Sequence, residues 1–169
     1  SIYQFFRESS RQKKEATLIA YNELQDGVFA RLNKYDDLSK IVYKHADMDI
    51  DKIVAVEAMG IHLATALSLA TDIPFVVIRK RQYGLEGEKQ VYQKTGYGSS
   101  NLFINDLHAG ERILLIDDVV STGESLTAIE TLVNEAGGNI VGKAFVLAEG
   151  DAKDRDDIIY LEPLPLFFK

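Results

Sequence analysis

The sequence predicts an α/β fold, a parallel sheet with helices on both faces. Three observations predict it. Apolar runs at residues 53–56, 73–78, 113–116 and 140–147, bounded by turn residues, have the length of buried strands. Between them apolar residues recur at helical spacing, as in Leu63, Ala66, Leu67 and Ala70, and again in Leu126, Ile129, Leu132 and Val133. Twice a strand passes through a glycine-containing turn directly into a helix, at residues 57–60 and 121–123. Such alternation implies βαβ units. Right-handed crossovers then gather the loops after successive strands at one carboxyl edge.

Composition bounds the rest. A chain of 169 residues suits one domain with a sizeable core, and residues 1–169 contain no repeat, low-complexity segment or linker. The apolar 46% and charged 27% are ordinary for a soluble globular protein. No apolar run is long enough to span a membrane, and the opening Ser1-Ile2-Tyr3-Gln4-Phe5-Phe6-Arg7 is not a signal peptide. A start on Ser1 without methionine suggests processing or trimming. Cysteine is absent, which excludes disulfides, thiolate zinc sites and a cysteine nucleophile, and fits a reducing cytoplasm. The net charge of −7 argues against general nucleic-acid binding.

Taken in order, residues 1–14 are polar with aromatics at Tyr3, Phe5 and Phe6 and suit a short helix. Residues 16–21 read as a strand and 36–45 as a helix that packs on the sheet through Leu38, Ile41 and Val42. The strand at 53–56 ends at Glu57, Ala58, Met59 and Gly60, a possible anion site at a helix start. His62 reads as packed or solvated rather than catalytic. The next strand enters through Pro74 and delivers Arg79, Lys80 and Arg81 to its carboxyl end, where open α/β sheets collect ligands. Residues 82–101 are polar and glycine-rich, with Tyr83, Tyr92 and Tyr97. A loop of that length is often a functional lid, and a β-hairpin returning through 102–104 is compatible with one. Residues 106–110 form a turn. Ala136, Gly137 and Gly138 stop the second helix, with glycine supplying the left-handed cap. The strand at 140–147 ends at Ala148, Glu149, Gly150 and Asp151. A charged loop follows over 151–157, and residues 158–161 and 164–168 make a closing strand or edge.

The stretch Ile113-Leu114-Leu115-Ile116-Asp117-Asp118-Val119-Val120-Ser121-Thr122-Gly123-Glu124-Ser125 organises the chain. An apolar strand ends on paired acids, and a small hydroxylated turn opens a helix. Backbone N–H groups at a helix start, with Ser and Thr hydroxyls, make an anion site. Carboxylates beside it suit a ligand that carries vicinal hydroxyls or a metal ion as well, namely a phosphorylated sugar. A capping turn alone explains Ser121 or Thr122, but not two adjacent acids. On residues alone the function is a phosphosugar site on an α/β domain.

Every position from Ile113 to Ser125 resembles the phosphoribosyl-pyrophosphate (PRPP) binding motif of type I phosphoribosyltransferases. From about Asp51 to Gly150 the chain resembles archaeal-type hypoxanthine or purine phosphoribosyltransferases, most closely over residues 54–63 and 73–84. The resemblance implies a single domain with a small hood built from about residues 1–35 and the C-terminal segment; a solvated N-terminal extension is the other reading of that stretch. It implies that Asp117 and Asp118 bind the ribose hydroxyls and stabilise charge at C1. Val120, Ser121, Thr122, Gly123, Glu124 and Ser125 would cradle the 5'-phosphate. Pyrophosphate would meet Glu57, Ala58, Met59 and Gly60, with Lys80 first and Arg79 second as its cation. Base contacts would come from Glu149 and Val119, and residues 82–101 would close as a lid that excludes water.

The implied reaction displaces pyrophosphate from PRPP by a purine nitrogen, with hypoxanthine, guanine or both as substrate. Mg2+ would be held mainly through PRPP and water, with Asp117 and Asp118 as candidate protein ligands. Either Asp118 or Glu149 would help deprotonate the base. Adenine enzymes usually carry Arg before the loop glycine and Glu before the lid tyrosine; here those positions are Met59 and Gly96. A non-catalytic PRPP-sensing regulator is the rival from another class. Such proteins usually carry a DNA-binding segment, and residues 1–50 are short and insufficiently basic for one. A cytoplasmic homodimer is the family expectation.

Overall fold

The computed structural model describes residues 49–95 and 98–165. The expected N-terminal helix, strand and helix, the hood, Gly96, Tyr97 and the end of the closing segment lie outside them. Within them the chain runs β1 (Lys52–Val56), α1 (Ile61–Thr71), β2 (Phe75–Ile78), β3 (Lys89–Thr95), β4 (Gly98–Ile104), β5 (Arg112–Val120), α2 (Glu124–Glu135), β6 (Asn139–Glu149), a 3-10 turn (Gly150–Asp154) and β7 (Ile159–Leu164).

Five strands form one sheet in the order β2-β1-β5-β6-β7, and every neighbouring pair is parallel. The parallel sheet buries both faces. Ile53, Ala55, Leu114 and Ile116 pack with Leu63, Ala64 and Leu67 of α1, while Val54, Ile113 and Leu115 pack with Leu126, Ile129, Leu132 and Val133 of α2. Period-2 alternation along the strands thus divides the apolar residues between two helices on opposite faces. The predicted α/β class with helices on both faces is what the chain adopts.

Several boundaries differ from the sequence reading. β2 begins at Phe75 instead of residue 73, because Asp72 caps α1 in the left-handed conformation and Pro74 has no N–H for the ladder. The Pro74 carbonyl still accepts the Ile53 N–H at 2.9 Å. β5 does not stop before the acids. It continues through Asp117 and Asp118 to Val120, held by pairing of Asp117 with Phe145, Val119 with Leu147 and Val120 with Ala148. Along this stretch the alternation breaks: Val119 joins the layer of Leu114, and Val120 the layer of Leu115. The charged loop after β6 contains a short 3-10 turn that buries Ala152.

β3 and β4 pair antiparallel in a sheet of their own. α2 ends as predicted. Gly137 has φ +90°, and the N–H of Gly138 donates to the Val133 carbonyl at 3.0 Å.

Candidate active site

Because all sheet neighbours are parallel, β1, β2, β5 and β6 end at the same edge. Their registers align those ends: Val56 pairs with Ile78, Ala55 with Ile116, and Val120 with Ala148. Residues distant in sequence therefore meet at one carboxyl edge, where such sheets bind ligands.

After β1, the Glu57–Ala58 peptide is cis. A Cβ at Gly60 would lie 2.8 Å from the Val56 carbonyl oxygen, so only glycine fits there. The Gly60 N–H donates to that carbonyl at 3.0 Å. Glu57 reaches across to the next loop and accepts the Lys80 N–H. Ala58 is exposed and Met59 is partly buried beside it.

After β2, Arg79 and Lys80 part company. The buried Arg79 guanidinium donates to the Glu88 carboxylate at 2.6 Å and to Asn105 Oδ1, and lies 4.1 Å from the centre of the Tyr83 ring. Glu88 also accepts the N–H groups of Tyr83 and Gly84, at 3.0 and 3.2 Å. The Tyr83 N–H first, then the Gly84 N–H and the Arg79 charge, hold the Glu88 carboxyl below its ordinary range. Arg79 thus fastens the root of the hairpin. Lys80 is exposed, and its charge acts on Asp117. Tyr92 is 62% exposed on the hairpin's outer side.

At the end of β5 the two carboxylates crowd one another. Asp118 is buried, and Asp117 faces the cavity with some exposure. Asp117 Oδ1 accepts the Asp118 N–H and Asp118 Oδ1 accepts the Val119 N–H, both at 2.9 Å. Burial, and then the Asp118 charge, push the Asp117 carboxyl well above the ordinary Asp range, against the pull of the Asp118 N–H and the Lys80 charge. Such a pair is poised to accept hydroxyl donors or a cation. Among the described residues no cluster of three or more acids or histidines could hold a metal ion. Two adjacent carboxylates are a donor set compatible with Mg2+, which keeps most of its shell as water and phosphate oxygens and takes one or two carboxylates.

Val120, Ser121 and Thr122 lead from β5 to Gly123, which caps α2 with φ +85°. A Cβ on Gly123 would meet Arg155 Nη1 at 3.0 Å. Glu124 and Ser125 are exposed in the first turn of the helix. Together with Asp117, Val119 and Phe145, this loop lines a cavity of about 520 Å3 at the positive end of α2. Glu149, at the end of β6, is half-buried. Burial raises its carboxyl, while a hydrogen bond from the Ser121 hydroxyl draws it back.

Two contacts at this edge were not legible in sequence. Arg155, in the charged run after β6, sits against Gly123 and donates from Nε to Asp157 at 2.7 Å. The Arg155 hydrogen bonds, and then Lys143, hold Asp157 well below the usual carboxylate range; Lys143 itself bridges Asp157 and Glu130 at 3.0 and 2.6 Å. An arginine set among aspartates just past a strand end was the one available signal. Gln93 of the hairpin donates to Ser125, a contact that no local pattern announces.

Paired acids and a small-residue helix start thus meet at the carboxyl edge of a parallel α/β sheet. The chain belongs to the phosphoribosyl transferase domain family, whose pattern it matches over residues 22–164. It is 56% identical over 116 residues to HGPRTase-like protein 2 of Haloterrigena turkmenica, covering 69% of this chain and 64% of that one. It is 50% identical over 118 residues to the hypoxanthine/guanine phosphoribosyltransferase of Methanobrevibacter ruminantium, covering 69% and 63%. The chain thus matches somewhat less than two thirds of the length of these curated relatives. Among solved structures it resembles the adenine phosphoribosyltransferase of Saccharomyces cerevisiae, with 27% identity, a TM-score of 0.65 and 77% of each chain covered. No helix among the described residues is long and apolar enough to cross a membrane.

Proposed function

We propose that the chain transfers the phosphoribosyl group of PRPP to hypoxanthine, guanine or both, giving a nucleoside 5'-monophosphate and pyrophosphate. One observation carries this reading: the crowded carboxylates Asp117 and Asp118 adjoin an anion loop at the end of one strand. The names of relatives at 50% identity and above favour the 6-oxopurines over adenine.

Each group then has a role in one displacement. Backbone N–H groups and hydroxyls from Val120 to Ser125 take the 5'-phosphate. Asp117 and Asp118 accept hydrogen bonds from the ribose hydroxyls and stabilise the positive charge that develops at C1. The bond from C1 to pyrophosphate breaks with its electron pair going to the leaving group. A purine ring nitrogen forms the new bond to C1 and gives up its proton. Glu149 or Asp118 takes that proton, and burial raises the Glu149 carboxyl, which makes its carboxylate a stronger base than an ordinary glutamate. Lys80 and the backbone of Glu57, Ala58, Met59 and Gly60 receive pyrophosphate; Arg79, fastened to Glu88, serves the hairpin. Glu149 and Val119 flank the base. Asp117 and Asp118 would be the candidate protein ligands of the Mg2+ typical of the family, which when bound would supply charge neutralisation on PRPP. The hairpin over 82–101 excludes water from C1. A cytoplasmic homodimer completes the proposal.

Pyrophosphate release from PRPP and Mg2+ tests it, with hypoxanthine, guanine, xanthine, adenine and orotate supplied separately. Turnover is expected with hypoxanthine or guanine. Turnover with adenine alone overturns the base assignment. Silence with all five bases, together with calorimetric PRPP binding, replaces the enzyme by a sensor.

A further inference from the structure

Gln93 of β3 donates from Nε2 to Ser125 Oγ at 2.8 Å, bridging the hairpin and the first turn of α2. Strand geometry explains how it gets there. Tyr92 and Lys94 are exposed, whereas Val91 packs on the layer that holds Leu126 and Ile129. Gln93 lies two residues beyond Val91 and so faces the same way. The root of the hairpin is fixed independently: Arg79 and Phe103 exchange N–H···O bonds of 2.9 and 2.8 Å, and Arg79 is paired with Glu88.

Ser125 is one of the hydroxyls assigned above to the 5'-phosphate. A hydroxyl has one hydrogen and two lone pairs. With the Gln93 amide donating into a lone pair, the Ser125 hydrogen stays available for a phosphate oxygen. Direction matters here, because no lysine or arginine lines the cavity among the described residues, and Asp117 and Glu124 do. Phosphate affinity then rests mainly on correctly oriented N–H and O–H donors, with Arg155 standing behind Gly123 and outside the lining.

We infer that Gln93 is a positioning residue for the 5'-phosphate: it holds the Ser125 hydroxyl as a donor and couples the seating of the hairpin to the grip on phosphate. This rests on the phosphosugar reading above and adds a specific link between two of its parts. The link predicts selectivity. A change at Gln93 alters ligands that carry a 5'-phosphate and spares pyrophosphate, which binds elsewhere. A purely architectural bond would alter both.

Calorimetry on the full chain tests it, with inosine 5'-monophosphate and pyrophosphate as probes and Gln93→Met, Ser125→Ala, the double variant and Gln93→Glu as proteins. Gln93→Met is expected to weaken the nucleotide about five-fold, the worth of one hydrogen bond, and to leave pyrophosphate unchanged. The double variant then binds the nucleotide no worse than Ser125→Ala alone. Gln93→Glu weakens it further, since a carboxylate accepts the Ser125 hydrogen and repels phosphate. In turnover, Gln93→Met raises KM for PRPP more than it lowers kcat. Nucleotide affinity unchanged by Gln93→Met, single losses that multiply in the double variant, or equal losses for pyrophosphate each overturn the inference. Wild-type protein that binds pyrophosphate but no nucleotide overturns the phosphosugar reading and this inference together.

Discussion

The two edges of the central sheet treat charge in opposite ways. At the amino edge, Lys52 is buried, yet its ammonium sits 3.0 Å from the Glu111 carboxylate and donates to the Asp106 carbonyl. Arg112 beside it donates to the Asp49 carbonyl at 3.0 Å, and its N–H bonds Asp51 at 2.8 Å. Each charge there meets a group that compensates it, which is what burial demands of a structural charge. At the carboxyl edge two aspartates adjoin, Asp117 is held far above its ordinary pKa, and Glu149 is raised by burial. Here the fold tolerates crowded, partly desolvated acids beside the positive end of a helix. Crowded acids of this kind cluster at functional sites. The same sheet therefore keeps compensated charge at one edge and crowded acids at the other, the edge proposed above to bind.

The largest effect comes from removing the crowded charge. Asp117→Asn with Asp118→Asn loses charge-assisted acceptors for the ribose and lowers PRPP affinity on the order of a thousand-fold. Asp117→Asn alone does not lower stability. The Asp117 carboxyl is raised in the folded protein, so its contribution is fully present below the unfolded pKa of about 4 and is lost as pH rises through the folded value. Asp117→Asn removes that loss. The single variant and the wild type melt alike at low pH, and the variant melts at an equal or higher temperature at neutral pH. Melting curves across pH check this, and a variant that is less stable at neutral pH contradicts the comparison. Glu111→Gln is the mirror experiment. It removes the nearer of the two carboxylates that pair with buried Lys52, leaving the Asp106 carboxylate at 3.9 Å and the Asp106 carbonyl, and lowers stability by about 2 kcal/mol. At a temperature where the variant is folded, PRPP binding is unchanged. A loss of affinity there would show that the two edges are not separate.

Much of this division could be read from the chain. The apolar layers of β1, β5, α1 and α2 follow directly from residue periodicity, because Leu63, Leu67, Leu126, Ile129 and Leu132 face the core for the same reason that they recur. The helix stop at Gly137 follows from its backbone freedom. Asp117 and Asp118 were legible as a motif but not as strand residues, since acids are poor strand formers and only pairing with β6 keeps them extended. The separate surroundings of Arg79 and Lys80 were not legible either: adjacent strand side chains point apart, and which one is buried depends on what packs behind. Contacts such as Gln93 with Ser125 and Arg155 with Gly123 join segments with no shared periodicity.

The smallest expected effect lies where the two regimes touch. Arg155 is paired with Asp157 in the manner of the amino edge, yet its Nη1 lies against Gly123 of the anion loop. Both partners are partly exposed, with side chains at 31% and 43%, so solvent screens the pair and Asp157→Asn costs at most about 1 kcal/mol of stability. If Arg155 matters only as a prop for the loop, that loss loosens Gly123 and weakens nucleoside 5'-monophosphate binding. If its charge is felt in the cavity, removing the neutralising Asp157 leaves more positive potential beside the phosphate, and the nucleotide binds about two-fold tighter at low salt. The geometry favours the second outcome, because the amide oxygen of the Asp157→Asn variant can still accept from Arg155 and Lys143, so the segment stays held while the charge is lost. Arg155→Met then weakens the same ligand, and both effects fade as salt is added. Opposite signs for the two variants place Arg155 with the binding edge despite its partner; equal signs place it with the structural one.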